Sequence, residues 1–175
     1  MTKPSAWTAA LAAAMCAVAC APTLDWREFV PEGSEVSVRL PCRPDRLARP
    51  VAVAGSTLQM TMLACRAGDL TFALAFAEVA DPTRIAAVLA EMRRNAVRNV
   101  QGVEPEDTPV QVTGMTPNDQ AARLKVNGRL PDGAPVLEHA AFFTRGRRVY
   151  QATVIGSGPA PDVVETFFGG LKFPG

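Results

Sequence analysis

Apolar and polar residues alternate with a period of two along most of the chain, and with a helical period in two places. Val36, Val38 and Leu40 share one face of the run Glu35 to Leu40, which ends at Pro41-Cys42. That pattern predicts a strand stopped by proline, which cannot donate to a ladder. Ser56 to Arg66 and Leu70 to Val79 are two longer runs joined by Ala67-Gly68-Asp69, a predicted hairpin. In the second run Phe72, Leu74 and Phe76 fall on one face and Ala73, Ala75 and Ala77 on the other. Small residues on that second face allow a helix to approach closely. The polar, proline-bounded stretch Arg43 to Pro50 is read as a loop. Pro22 to Pro31 is read as a lead-in whose Trp26 and Phe29 fold back onto the domain edge.

Asp81-Pro82 opens the first helical segment, Asp81 capping exposed amides and proline suiting the first turn. Ile85, Val88, Leu89, Met92, Ala96 and Val97 form its apolar stripe. Arg84, Glu91, Arg93, Arg94 and Arg98 fall largely off that stripe, and Gly102 follows its end. The second half reads as a meander of Pro109 to Thr113, Ala121 to Leu130, Ala134 to Thr144 and Arg148 to Ile155. Pro131-Asp132-Gly133 and Arg145-Gly146-Arg147 supply tight turns. Pro161 opens a short helix with Val163, Val164, Phe167 and Phe168 on a stripe, and Leu171-Lys172-Phe173 is expected to add a closing strand. The order strand, hairpin, helix, meander, helix predicts an α+β domain: a mainly antiparallel twisted sheet with one long and one short helix packed on it.

The amino terminus changes the picture from a plain globular domain to an exported one. Lys3 supplies a positive start, Ala6 to Ala14 are apolar but for Thr8, and small residues precede a cysteine in Ala17-Val18-Ala19-Cys20. A secretory peptidase requires small side chains before its cut. The tetrapeptide resembles the lipobox of bacterial lipoproteins, with Ala17 where that family usually has Leu. The resemblance implies removal of residues 1–19, acylation of the Cys20 thiol and a lipid anchor in the membrane; Cys16, after Met15, fits less well. Residues 20–34 then form a lipidated lead-in and residues 35–175 a single domain. Ala21 after the acylated cysteine points to the outer membrane, facing the periplasm, because aspartate there commonly causes inner-membrane retention. The remaining cysteines, Cys42 and Cys65, are expected to form a disulfide in such an oxidising compartment, the alternative being two separate buried thiols.

Length and charge limit the rest. The chain has 175 residues, 48% of them hydrophobic, enough for one core. Its 18 basic residues balance 17 acidic ones, and Lys3 lies in the segment expected to be lost. Such a domain lacks the positive field that nucleic-acid binding requires.

Candidate chemistry is sparse. His139 is the only histidine and lies beside Glu138 in a strand, without the elbow of a serine hydrolase; Gly156-Ser157-Gly158 has the wrong spacing. It is read as a structural or surface residue. Asp25, Glu28, Glu104, Glu106 and Asp107 lie in segments read as flexible, and Glu104 to Asp107 as a solvated acidic turn lacking calcium-loop spacing. No phosphate-binding glycine loop is present. No catalytic residue, cofactor or metal site is expected. Leu58, Met60 and Met62 form a stripe read as core, able otherwise to line a small apolar cavity. Arg145, Arg147 and Arg148 at a hairpin tip are the one charge cluster offered as an interaction surface, for anionic lipid or an acidic partner.

Several of these features occur together in a fixed order. They are Trp26 with Phe29, a strand ending Leu40-Pro41-Cys42, Ala64-Cys65 in a hairpin, Asp81-Pro82 before a helix, and Arg148-Val149-Tyr150-Gln151 ahead of Phe167-Phe168. Across Asp25 to Phe173 the chain resembles small bacterial lipoproteins of PsbP-like fold, related in architecture to the photosystem II extrinsic subunit. The resemblance implies an antiparallel sheet between helices and a role in binding or assembly with a protein partner, without enzymatic activity. The alternative is a carrier of a small apolar ligand or lipid. Fold does not by itself settle function.

Overall fold

A computed structural model describes residues 24–103 and 105–175. The expected export signal, Cys20 and Glu104 lie outside them. The elements are β1 (Arg27–Phe29), β2 (Val38–Leu40), β3 (Asp45–Val53), β4 (Ser56–Ala67), β5 (Leu70–Glu78), α1 (Ile85–Asn99, entered through a 3-10 turn Pro82–Arg84), β6 (Glu106–Thr108), β7 (Ala122–Arg129), β8 (Pro135–Arg145), β9 (Arg148–Gly156) and α2 (Pro161–Gly169). β1 and β2 form a two-stranded sheet. The other strands form a seven-stranded sheet in the order β3-β4-β5-β9-β8-β7-β6, antiparallel at every pairing. The fold is α+β.

The alternation seen in β5 decides the layering. Phe72, Leu74 and Phe76 pack with Phe143, Tyr150, Val154, Val164, Phe167, Phe168 and Phe173 into one core, shared by the sheet, α2 and the β1–β2 layer. Tyr150 stacks on Phe143 at 4.9 Å between ring centroids. Its hydroxyl donates to the Ser34 carbonyl at 2.7 Å, so the ring is buried without stranding its polar tip. The opposite face of the sheet carries a second core of Ala77, Val79, Leu124, Val126, Ala140, Phe142 and Val149 under Ile85, Val88, Leu89, Met92 and Ala96 of α1. The helix therefore buries the stripe that its spacing predicts.

α1 crosses this second face from the β3–β4 turn to β7. Asp81 caps its entry, accepting from the Thr83 amide at 2.9 Å, and the Arg84 guanidinium donates to the Ala54 carbonyl in the β3–β4 turn. At the far end the Arg129 amide of β7 donates to the Val100 carbonyl at 2.6 Å. This close approach needs Gly128, where a Cβ would come within 2.2 Å of the Val100 oxygen. A side chain there would push the helix end off the sheet.

Four sequence expectations are corrected. Arg43 to Pro50 is not a loop: Asp45–Val53 is the edge strand β3, paired with β4 along its length. Its residues are nearly all exposed, so no hydrophobic face advertises it, and an edge strand tolerates Pro50. Pro109 to Thr113 is irregular except for a bridge at Thr113, and Val110 and Val112 enter the first core from it. The strand lies just before it, at Glu106–Thr108, where Glu106 pairs with Lys125 at 3.0 Å and Asp107 with Arg93. Leu171-Lys172-Phe173 closes no sheet and forms only isolated bridges, from Lys172 to Ser37 and Thr113. Finally, Arg93, placed off the apolar stripe and so expected on the solvent face of α1, is half-buried: it also reaches the Gln120 carbonyl and fastens β6 to α1.

The lead-in is tied down at several points. The Asp25 amide donates to the Pro41 carbonyl at 2.9 Å, and Trp26 packs edge-on against Phe72 at 5.6 Å. The disulfide Cys42–Cys65 joins the segment after β2 to β4, with Cα atoms 5.8 Å apart. Closing a loop of that length contributes roughly 3 kcal/mol in the chain-entropy account.

Leu89 is fully buried, so Leu89→Ala should cost ~2–5 kcal/mol in denaturant unfolding. Arg94, whose side chain is 59% exposed, should tolerate alanine within ~0.5 kcal/mol. Arg93→Ala should fall between them at ~1 kcal/mol, because it releases Asp107. Equal losses at positions 89 and 94 would contradict the packing of α1.

Candidate functional site

The arginine cluster at the β8–β9 tip is brought together as its sequence implies, around a turn at Gly146 with φ of 55°. Partners distant in sequence neutralise much of it. Arg147 pairs with Glu78 at the end of β5, and Arg148 reaches Glu35 at 2.8 Å and Glu78 at 3.8 Å. The Arg145 guanidinium lies 4.8 Å over the Phe173 ring. Thr116 fastens the tip, accepting from the Gly146 amide at 2.9 Å. The geometry is that of a cross-linked corner in which only Arg145 lacks an ion pair among the described residues.

Neighbouring residues of β8 point to opposite faces of the sheet. His139 shares a cleft beside α2 with Arg123, Leu137, Pro161 and Glu165. Burial, followed by the positive charges of Arg123 and Lys125, lowers its proton affinity. Arg123 is paired with Glu165 at 2.8 Å, and the Ser157 hydroxyl donates to Asp69. Glu138 points the other way, into the α1 layer between Val126 of β7 and Ile155 of β9. It is 4% exposed, and burial pushes its carboxyl up to about 7. The sequence signal for it is plain in retrospect: a carboxylate at an inward position of the alternation Val136, Glu138, Ala140, Phe142.

The acids read as flexible are mostly anchored. Glu28 on β1 receives Lys172 at 2.6 Å, Arg39 at 3.2 Å and the Ser37 hydroxyl at 3.1 Å. Lys172, then Arg39 and Ser37, hold its carboxyl down at about 2. That cluster ties the β1–β2 layer to the carboxyl-terminal segment. Among the described residues, no group of three His, Cys, Asp or Glu side chains is placed to hold a metal ion, and no helix is long and apolar enough to cross a membrane.

One surface was not anticipated. α1 leaves a corner of the sheet at β3 and β4 bare. Leu47 and its cross-strand partner Met62 are 51% and 36% exposed. They border a cleft of about 170 Å³ with Met60, Val51, Ala75 and the flank of α1. The expected core stripe is thus divided: Leu58 is buried, Met60 half-buried and Met62 exposed. Arg49 and Arg66 share the face of Leu47 and Met62, Arg46 lies on the opposite face of the same edge strand across from Leu63, and Arg43 just precedes the strand; all four are exposed and none is ion-paired among the described residues. Arg46 and Arg66 bond only to backbone carbonyls, of Glu32 at 3.0 Å and Gly68 at 3.1 Å.

No protein-family model matches the chain, and no curated protein matches it in sequence.

The Glu138 carboxyl yields a test of this geometry. Its folded value of about 7 lies above its ordinary 4.5. The neutral acid therefore stabilises the fold fully below 4.5, and that contribution is lost as pH rises toward 7. His139, whose proton affinity is lowered, acts in the opposite sense, but its contribution cancels when wild type and Glu138→Gln are compared. The variant should gain on wild type by on the order of 2–3 kcal/mol between acidic and mildly basic pH. Parallel stability curves across that range would show Glu138 to be solvated.

Proposed function

We propose that this protein is a non-enzymatic lipoprotein of the bacterial cell envelope, of PsbP-like fold, held by acylated Cys20 and acting as a protein-binding or assembly module. The observation that carries the reading is the Cys42–Cys65 disulfide. Such bonds persist in oxidising compartments outside the cytosol, and this one agrees with the export pattern and lipobox-like Ala17-Val18-Ala19-Cys20. Ala21 favours the outer membrane, with the domain in the periplasm.

Binding rather than carriage is favoured by the packing. Both layers between sheet and helices are filled by side chains, and the larger clefts, of about 550 Å³ beside α1 and about 410 Å³ beside α2, are open at the surface and lined in part by Arg93, Arg94, Arg98, Arg123 and Lys125.

The test is metabolic labelling with a fatty-acid probe, followed by native mass spectrometry of the gently extracted protein. Wild type should take up label and fractionate with membranes, Cys20→Ser should do neither while remaining folded, and the extracted protein should carry a protein partner. Unlabelled wild type would overturn the anchor. A retained small apolar ligand in place of a partner would overturn the binding-module reading in favour of a carrier.

A further inference from the structure

We propose that the bare corner formed by β3 and β4 is a membrane-facing surface that docks on anionic lipid headgroups, an orientation that rests on the Cys20 anchor. Three observations converge on it. The first is charge. Arg43, Arg46, Arg49 and Arg66 are exposed and make no ion pair among the described residues. Asp45 is the one acid within that stretch of β3. Elsewhere most cations already face a carboxylate, as at Arg93, Arg94, Arg98, Arg123, Lys125, Arg147, Arg148 and Lys172.

The second observation is apolar. Leu47 and Met62 stand side by side across the β3–β4 ladder at 51% and 36% exposure, on the face that also carries Arg49 and Arg66. Apolar side chains set among arginines suit the headgroup boundary, where the chains sink in and the guanidinium groups meet phosphate. An acidic protein partner would satisfy the arginines without requiring the exposed leucine and methionine.

The third is tether length. The described chain starts at Leu24, and the Asp25 amide is bonded to the Pro41 carbonyl, one residue before Cys42 and two before Arg43. Cys42 is bridged to Cys65, the residue before Arg66. Cys20 lies four residue steps before Leu24, a reach of at most about 14 Å. An acyl group on Cys20 therefore holds this corner of the domain nearest the bilayer.

The experiment uses the Cys20→Ser chain, which carries no lipid, so that surface affinity is measured without the anchor. Co-sedimentation is compared between vesicles of pure phosphatidylcholine and vesicles with roughly one-third phosphatidylglycerol. Binding is expected only to the anionic vesicles and should weaken with salt. Arg43→Gln, Arg46→Gln and Arg49→Gln combined should reduce it at least tenfold, since each cation near such a surface contributes about fivefold. Leu47→Ser should weaken it further. A control with the same loss of charge, Arg94→Gln, Arg98→Gln and Arg129→Gln, should bind within about twofold of the parent. Equal loss in the two triple variants, or binding indifferent to lipid charge, would overturn the proposal. The substituted positions among the described residues are all exposed, and unchanged thermal melting verifies folding in each variant. If fatty-acid labelling of wild type fails while this binding survives, the anchor is wrong and the surface stands. Labelling without vesicle binding has the reverse meaning.

Discussion

β5 and β9 bury side chains on both faces, and that requirement places the elements around them. Their outward neighbours in the sheet supply width, but neither face can remain open where Phe72, Leu74, Tyr150 and Val154 crowd one side and Ala77 and Val149 line the other. The bulky face needs the aromatic cover of α2, Phe173 and the β1–β2 layer. The small-residue face admits α1 at close range, and Gly128 lets the helix end settle on β7. A single helix cannot cover seven strands. It covers the centre and leaves the β3–β4 corner to solvent.

The disulfide acts on the same corner from the other layer. Cys42–Cys65 joins the strand pair that carries the lead-in to β4, while Glu28 with Lys172 and Arg39 fastens the far side of that pair to the chain end. The beginning of the described chain is thus fixed at one corner of the sheet. On the proposal that Cys20 is acylated, so short a tether sets the orientation of the domain as well as its location. The β8–β9 tip, with Arg147 and Arg148 held by Glu78 and Glu35, serves to cross-link elements at the opposite end of β5 and β9.

Elements that bury a periodic face were legible in the chain: the β4–β5 hairpin, the α1 stripe and the strands β7 to β9 follow from hydrophobic spacing alone. β3 and β6 were not, because both are sheet edges whose residues stay exposed. β3 is held by backbone pairing despite Pro50, and β6 by ion pairs to Lys125 and Arg93. The arginine turn at 145–148 was visible, but its neutralising glutamates lie about seventy and more than a hundred positions away in sequence. The bare corner was legible only in part: the stripe of Leu58, Met60 and Met62 offered a small apolar cavity, but Leu47 joins Met62 only through the pairing of the unrecognised edge strand β3 with β4. Glu138 was seen only as the neighbour of His139, although its inward position in an alternating strand marks it as the more perturbed group.

Amide hydrogen exchange of the lipidated protein on vesicles containing phosphatidylglycerol tests the orientation most directly. Slowing confined to residues 43–53 and 56–66, relative to the detergent-extracted protein, is the predicted result. Slowing at the arginine tip of residues 145–148 instead, or no change in either region, would contradict it.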